Sequence, residues 1–281
     1  MTVTTLEDVQ TLEDEAQIVR TRCGDGDLIW RRWGDGAPVV LLHGGSGSWL
    51  HWVRTIPHLR RNRTVWAVDL PGLGDSAMPP PPLDPYSCAT VVADGFRKNF
   101  EPGAGADLVG FSFGAHVGTI AAASLTDRLR SFTVLGTSAL GIPRPMLDAF
   151  PKERSSMDMS ARREVHRRVL EILMISKPER IDDLAVSLQQ RNVGKARFRS
   201  RKFAPTDNVA RGLADVHVPL RSIWGRNDVI AHPDVETCLD VLRQHHPELV
   251  ARIIPDAGHW VMFEQAAAFN EALDDMLAEP V

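Results

Sequence analysis

Gly110-Phe111-Ser112-Phe113-Gly114 decides how the rest of the chain is read. The pentapeptide follows the apolar run 106–109 and opens a run of mostly small residues at 115–123, so the order is strand, abrupt turn, helix. Turning from strand to helix within one residue forces that residue into a sparsely allowed backbone region. Neighbouring atoms tolerate this only where the flanking residues lack side chains. Gly110 and Gly114 supply the room, and the turn lifts the Ser112 hydroxyl clear of the strand. The first backbone N–H groups of the following helix then point at whatever the hydroxyl meets.

Outward from this turn, short and uniformly apolar runs recur at 39–42, 65–68, 132–135, 220–224 and 253–254, separated by helical stretches. That pattern predicts an α/β fold with a mostly parallel sheet covered by helices on both faces. Residues 28–33 read as an edge strand, and 87–100 as a helix capped by Ser87 or Asp84. Ligands of such sheets bind beyond the carboxyl ends of the strands. His43, Asp69, Ser112, Asp228 and His259 each follow an apolar run, so five polar residues distant in sequence are expected on one rim.

A serine hydroxyl is a poor nucleophile unless a base takes its proton, and the base needs an anion to fix its tautomer. Ser112, His259 and Asp228 suit these three roles in turn. Asp256 stands only three residues before His259 in the same loop, and Asp234 is better placed than Asp228 to cap the helix beyond Pro233. The glycine-rich turn His43-Gly44-Gly45-Ser46-Gly47 lets bare N–H groups approach a ligand, so Gly45 and Phe113 are the expected oxyanion donors. Gly44, Ser46, Trp49, Phe111 and Trp260 complete the expected substrate-binding set. His43 is read as bracing the loop through backbone hydrogen bonds, His116 as packed under the turn, and Asp69 as scaffolding. The remaining histidines, His51 among them, carry no motif and default to surface or satisfied positions.

In chain order, His-Gly-Gly, Gly-x-Ser-x-Gly, Gly-x-x-Asp and Gly-His resemble the α/β-hydrolase family over about residues 25–278. The resemblance implies a Ser112-His259-Asp228 serine hydrolase acting through an acyl-enzyme, with a helical cap inserted over the site. The His259-Trp260 pair, the His43 loop and the basic cap look like the meta-cleavage-product hydrolases, which cut carbon–carbon bonds in dienoic acids. Phe111 stands where those enzymes commonly carry asparagine, and with Phe113 it suits a carboxylic ester with a hydrophobic part. The ester is therefore the expected substrate and carbon–carbon cleavage the alternative; a slow-turnover small-molecule receptor of the same fold is a third reading. Related dehalogenases and epoxide hydrolases use an aspartate nucleophile, so Ser112 argues against both.

The 281 residues, 43% of them hydrophobic, can bury one large core with an inserted subdomain. The boundaries expected are a polar leader at 1–24, a core domain at 25–140 and 208–281, and the cap at 141–207, with Pro143 and Pro145 at its entrance. Residues 142–210 hold fifteen Lys or Arg against nine Asp or Glu, while the whole chain carries −4. A cationic cap docked on an acidic body is the favoured consequence. The alternative is an arginine among Arg191, Arg197, Arg199 and Arg201 entering the cleft to hold a substrate carboxylate. Cys23, Cys88 and Cys238 are far apart and odd in number, which predicts no disulfide framework and a reducing, cytoplasmic setting. No cofactor, metal, nucleic acid or membrane partner is expected, and a homodimer is left open.

Overall fold

The computed structural model describes residues 2–143 and 150–278, so Pro145 lies outside the described residues. Its strands are β1 (Gln17–Cys23), β2 (Gly26–Trp33), β3 (Ala37–Leu42), β4 (Arg63–Asp69), β5 (Ala106–Phe111), β6 (Leu129–Leu135), β7 (Leu220–Gly225) and β8 (Val250–Ile254). They form one sheet in the order β1-β2-β4-β3-β5-β6-β7-β8. β2 runs antiparallel to β1 and β4, and every pairing from β4 to β8 is parallel.

Successive strand residues feed opposite faces, and both faces are covered. Val39, Leu41, Val109 and Phe111 enter one core, whereas Val40, Leu42, Leu108 and Phe132 enter the other. Helices Pro85–Asn99, Phe113–Ala122 and Val235–His245 close the second face, and Leu6–Asp14 and Ala266–Ala278 close the first. This is why the central strands read as unbroken apolar runs rather than as alternation. The helix expected at 87–100 begins earlier, at Pro85, because Asp84 rather than Ser87 is its N-cap, accepting from the Ser87 N–H at 2.8 Å.

Residues 2–24 are more than the expected polar leader, because they form a helix and a strand and bury Val3, Val9, Leu12, Thr21 and Cys23. Thr5 and Asp8 make a capping box on helix Leu6–Asp14, whose Val9 and Leu12 are buried. The Trp33 indole donates to the Leu12 carbonyl at 2.8 Å, and β1 pairs along its length with β2. Residues 28–33 are consequently interior to the sheet, and β1 takes the edge. A helix that buries so few apolar residues, next to a half-exposed strand, has the composition of a polar tail.

Between β6 and β7 the described residues form helices joined by loops and no strand, with Met159–Leu173 and Asp183–Lys195 the long helices, followed by a short turn, Ser200–Phe203. Its two ends are stitched together. Ala139 N–H donates to Ala204 O at 3.0 Å, Gly141 N–H to Thr206 O at 3.2 Å, and Val209 N–H to Ala139 O at 2.9 Å. Cations of the segment meet acids of the body at Arg191–Glu13 (3.1 Å), Lys195–Asp75 (2.5 Å), Lys177–Asp256 (3.4 Å) and Arg180–Glu264 (3.7 Å). Among the described residues no helix is long and apolar enough to cross a membrane.

Candidate active site

Ser112 follows β5 and precedes helix Phe113–Ala122 with φ 53° and ψ −114°, a conformation costly for any residue with a side chain. A Cβ on Gly114 would strike the Leu42 and His43 carbonyls, and one on Gly110 would lie 2.7 Å from Ala115 Cα. No other residue fits either position. The Ser112 N–H is fixed on Leu135 O at 2.8 Å, which ties the turn to β6. The Phe113 N–H, first in its helix, has no intrahelical acceptor.

Asp228 and His259, 31 residues apart, meet beyond the ends of β7 and β8. His259 Nδ1 lies 2.9 Å from Asp228 Oδ2, and both side chains are almost fully buried. A carboxylate only accepts, so the ring proton sits on Nδ1 and Nε2 is left with a lone pair. The other carboxylate oxygen, Oδ1, accepts the Ile230 N–H at 2.8 Å, which fixes its rotation. Phe111 packs its ring 4.7 Å from that of His259. Gly136, at the end of β6, passes so close that a Cβ there would fall 2.9 Å from Asp228 Oδ2 and 3.0 Å from His259 Nδ1.

The loop carrying His259 is held by a residue that no motif singled out. Glu264, buried five positions later, accepts from Gly258 N–H (2.7 Å), Ser176 N–H (3.0 Å), Ser176 Oγ (2.9 Å) and Lys177 N–H (3.0 Å). One carboxylate thereby ties the histidine loop to the inserted segment. The Trp260 N–H adds a bond to Met174 O at 2.7 Å. Asp256 turns outward to Lys177, and Asp234 caps the helix that follows it through the Thr237 N–H at 2.8 Å. Neither competes with Asp228 for the imidazole.

The glycine loop is built around two buried histidines. His43 Nδ1 donates to Gly44 O at 2.7 Å and its Nε2 accepts the Leu70 N–H at 2.9 Å, a bracing role in one neutral tautomer. His51 accepts the Gly44 N–H at 3.2 Å and lies between Phe111 and Trp260, with centroids at 5.5 and 5.2 Å. Burial, above all, holds both imidazoles below the ordinary histidine pKa, His51 well below. The same cause brings His116, packed beneath the turn, down to about 4. Gly45 and Ser46 remain partly exposed, Ser46 with φ 53°, and the Cβ position of Gly45 is 3.6 Å from Phe113 Cβ.

The expected substrate-facing aromatics are engaged elsewhere in packing. Trp49 lies against Trp33 at 5.6 Å with the Arg31 guanidinium over its ring, and Trp260 stacks on Phe263 while its indole donates to His51 O at 2.9 Å. Asp69 scaffolds the rim by accepting from Trp49 N–H (2.8 Å), Asp75 N–H (3.0 Å) and Arg31 (2.8 Å). Of the four arginines considered for a carboxylate, Arg191 pairs with Glu13 and Arg197 donates to Ser76 O. Arg201 lies over the Phe150 ring at 3.9 Å, and Arg199 is exposed.

The model of the alpha/beta hydrolase family matches residues 39–272, a span that contains every residue of this site. The chain belongs to that family. Among curated members it is 28% identical over 261 residues to a 2-hydroxymuconate semialdehyde hydrolase of Pseudomonas sp. (strain CF600), covering 88% of each chain. It is also 28% identical over 264 residues to a 2-hydroxy-6-oxo-2,4-heptadienoate hydrolase of Pseudomonas putida, covering 87% of this chain and 90% of the relative. Solved structures with the same fold include an esterase from Exiguobacterium antarcticum, at TM-score 0.71 and 17% identity over 94% of this chain and all of that one. A meta-cleavage product hydrolase aligns at TM-score 0.71 and 20% identity over 93% and 98% of the two chains. Fold and family together make the protein a hydrolase.

Proposed function

We propose that this hydrolase cleaves a small carboxylic ester through an acyl-enzyme on Ser112. The observation carrying the reading is the buried Asp228–His259 pair, which leaves Nε2 free to accept a proton on the rim where Ser112 is held in its strained turn. As Ser112 Oγ bonds to the carbonyl carbon, its proton passes to His259 Nε2 and the carbonyl π pair moves onto oxygen. The Gly45 and Phe113 N–H groups hold that oxyanion. Collapse of the adduct breaks the bond to the alcohol oxygen, which leaves with the proton from His259. A water then gives a proton to His259 and adds to the acyl carbon; Ser112 departs with that proton and the carboxylic acid is released.

The ester is favoured because Phe111 and Phe113 flank the nucleophile with apolar surface, and because Arg191, Arg197 and Arg201 are engaged with other residues. The names of the curated relatives favour a second reading, hydrolysis of a carbon–carbon bond in a dienoic acid. Fluorophosphonate labelling of the wild type and Ser112→Ala, followed by a panel of p-nitrophenyl esters and one dienoate, separates the readings. Label lost in the variant, with ester turnover faster than dienoate turnover, is the expected result. Faster dienoate turnover would move the second reading ahead, one turnover without recycling would favour a receptor, and a folded wild type that takes no label would end the serine mechanism.

A further inference from the structure

We propose that Ser200, on the inserted segment, supplies a third donor to the oxyanion site, its hydroxyl joining the N–H groups of Gly45 and Phe113. The inference rests on the ester-hydrolase reading above. Ser200 opens the turn Ser200–Phe203 and is only 7% exposed, although Arg199 and Arg201 on either side are exposed. Its Oγ lies directly against Gly45, since a Cβ built on that glycine would run into it and would stand 3.6 Å from Phe113 Cβ. One hydroxyl, the loop glycine and the first residue of the helix after Ser112 therefore crowd a single spot.

The position is fixed from the nucleophile's own helix. Phe113 stacks on Phe198 at 5.4 Å, and Phe198 on Phe203 at 6.0 Å, so an aromatic ladder starting beside Ser112 carries the turn that presents Ser200. Among the described residues the Ser200 hydroxyl has no hydrogen-bond partner. The oxygen is not fully sealed from solvent, so the hydroxyl is free to turn its proton toward a negative oxygen arriving beside Gly45. Gly45 and Phe113 belong to the sheet domain and Ser200 does not, so this third bond exists only while the segment is docked.

The test compares the wild type with Ser200→Ala, using p-nitrophenyl acetate turnover and inhibition by an aryl trifluoromethyl ketone, whose adduct carries the oxyanion. The expected outcome is a fall in kcat on the order of 100-fold, an equal loss of ketone affinity, and a KM that moves by less than about threefold. Ser112 should still take a fluorophosphonate to completion, more slowly, with an unchanged melting temperature. If Ser200 serves only as a residue small enough to approach Gly45, the variant will keep its kcat and its ketone affinity, and the proposal is wrong. A loss confined to KM would also overturn it. A wild type that neither turns over esters nor takes the label removes the parent reading and this one together; a wild type that does both, beside a silent variant, removes this one alone.

Discussion

At the scale of the residue, four positions carry testable weight. If the proposed acyl-enzyme mechanism holds, Ser112→Ala and His259→Ala should each lower ester turnover by at least about 10⁴-fold, because in it nucleophile and base act as a unit. Active-site titration with a fluorophosphonate, alongside initial rates, checks this; a residual rate near wild type would relocate the chemistry. Gly136→Ala should fail differently. Its backbone, at φ +50°, disfavours a side chain, and the new methyl would press on both Asp228 and His259. A stability loss of about 1–3 kcal/mol in urea denaturation, together with lost turnover, is the expected result. His116 gives a pH prediction. Its pKa falls to about 4 on burial, so between the unfolded value near 6.5 and about 4 the unfolded chain binds the extra proton and stability drops as pH falls. The loss approaches about 1.4 kcal/mol per pH unit inside that window and vanishes above it. His116→Gln should flatten the urea midpoint between pH 6.5 and 4.5 relative to wild type, to the extent that this one histidine sets the slope. The strand-end placement of Ser112, Asp228 and His259 was legible because each belongs to a short motif. Gly136 and Ser200 were not, since their significance lies in side chains brought beside them by other parts of the chain.

At the scale of the element, the histidine loop is the part whose position depends most on a distant segment. Glu264 gathers four hydrogen bonds, one from Gly258 and three from Ser176 and Lys177, all from neutral donors of loop and segment. Glu264→Gln replaces one accepting oxygen with a donor that faces N–H groups. That exchange should cost about 1–3 kcal/mol of stability. It should also slow fluorophosphonate labelling of Ser112 by roughly 10-fold or more while KM changes little, because the base is displaced rather than the substrate site. A stability loss with an unchanged labelling rate would show that the clamp holds the segment without aligning His259. The sequence announced the loop through Gly-His but hid the clamp, since a glutamate on a short helix has the same letter whether it is solvated or buried. Helix Leu6–Asp14 and β1 were missed for the opposite reason. Their buried residues, Val9, Leu12, Thr21 and Cys23, are too sparse to raise an apolar signal above the charged residues around them.

At the scale of the whole molecule, the excess of cations at 142–210 is used for docking against the acidic body. Each of the pairs Arg191–Glu13, Lys195–Asp75 and Lys177–Asp256 is partly exposed and worth only about 0–1 kcal/mol, so their effect is collective and sensitive to salt. Raising ionic strength from about 0.01 M to 1 M shortens the screening length from about 30 to 3 Å. The inserted segment should then be cut faster by a protease specific for basic residues while β3 to β8 stay protected, and the double variant Lys195→Ala/Arg191→Ala should show that higher rate already at low salt. Equal rates at both salt concentrations would mean that apolar packing alone seats the segment. The mostly parallel sheet and its both-sided burial were readable from the apolar runs, whereas the strand order and the partner of each cation could emerge only once the chain was folded. The stitching of residues 139–141 to 204–209 has a further consequence for how such a protein can change over evolutionary time. Because β6 and β7 are neighbours and the two ends of the insertion are bonded to each other, the excursion behaves as a module on a closed hem. Doubling the length of a flexible closed loop adds only about 0.6 kcal/mol. A foreign helical module grafted between residues 141 and 206 could therefore exchange the roof of the site, and with it the range of molecules admitted, while the sheet beneath remained as it is.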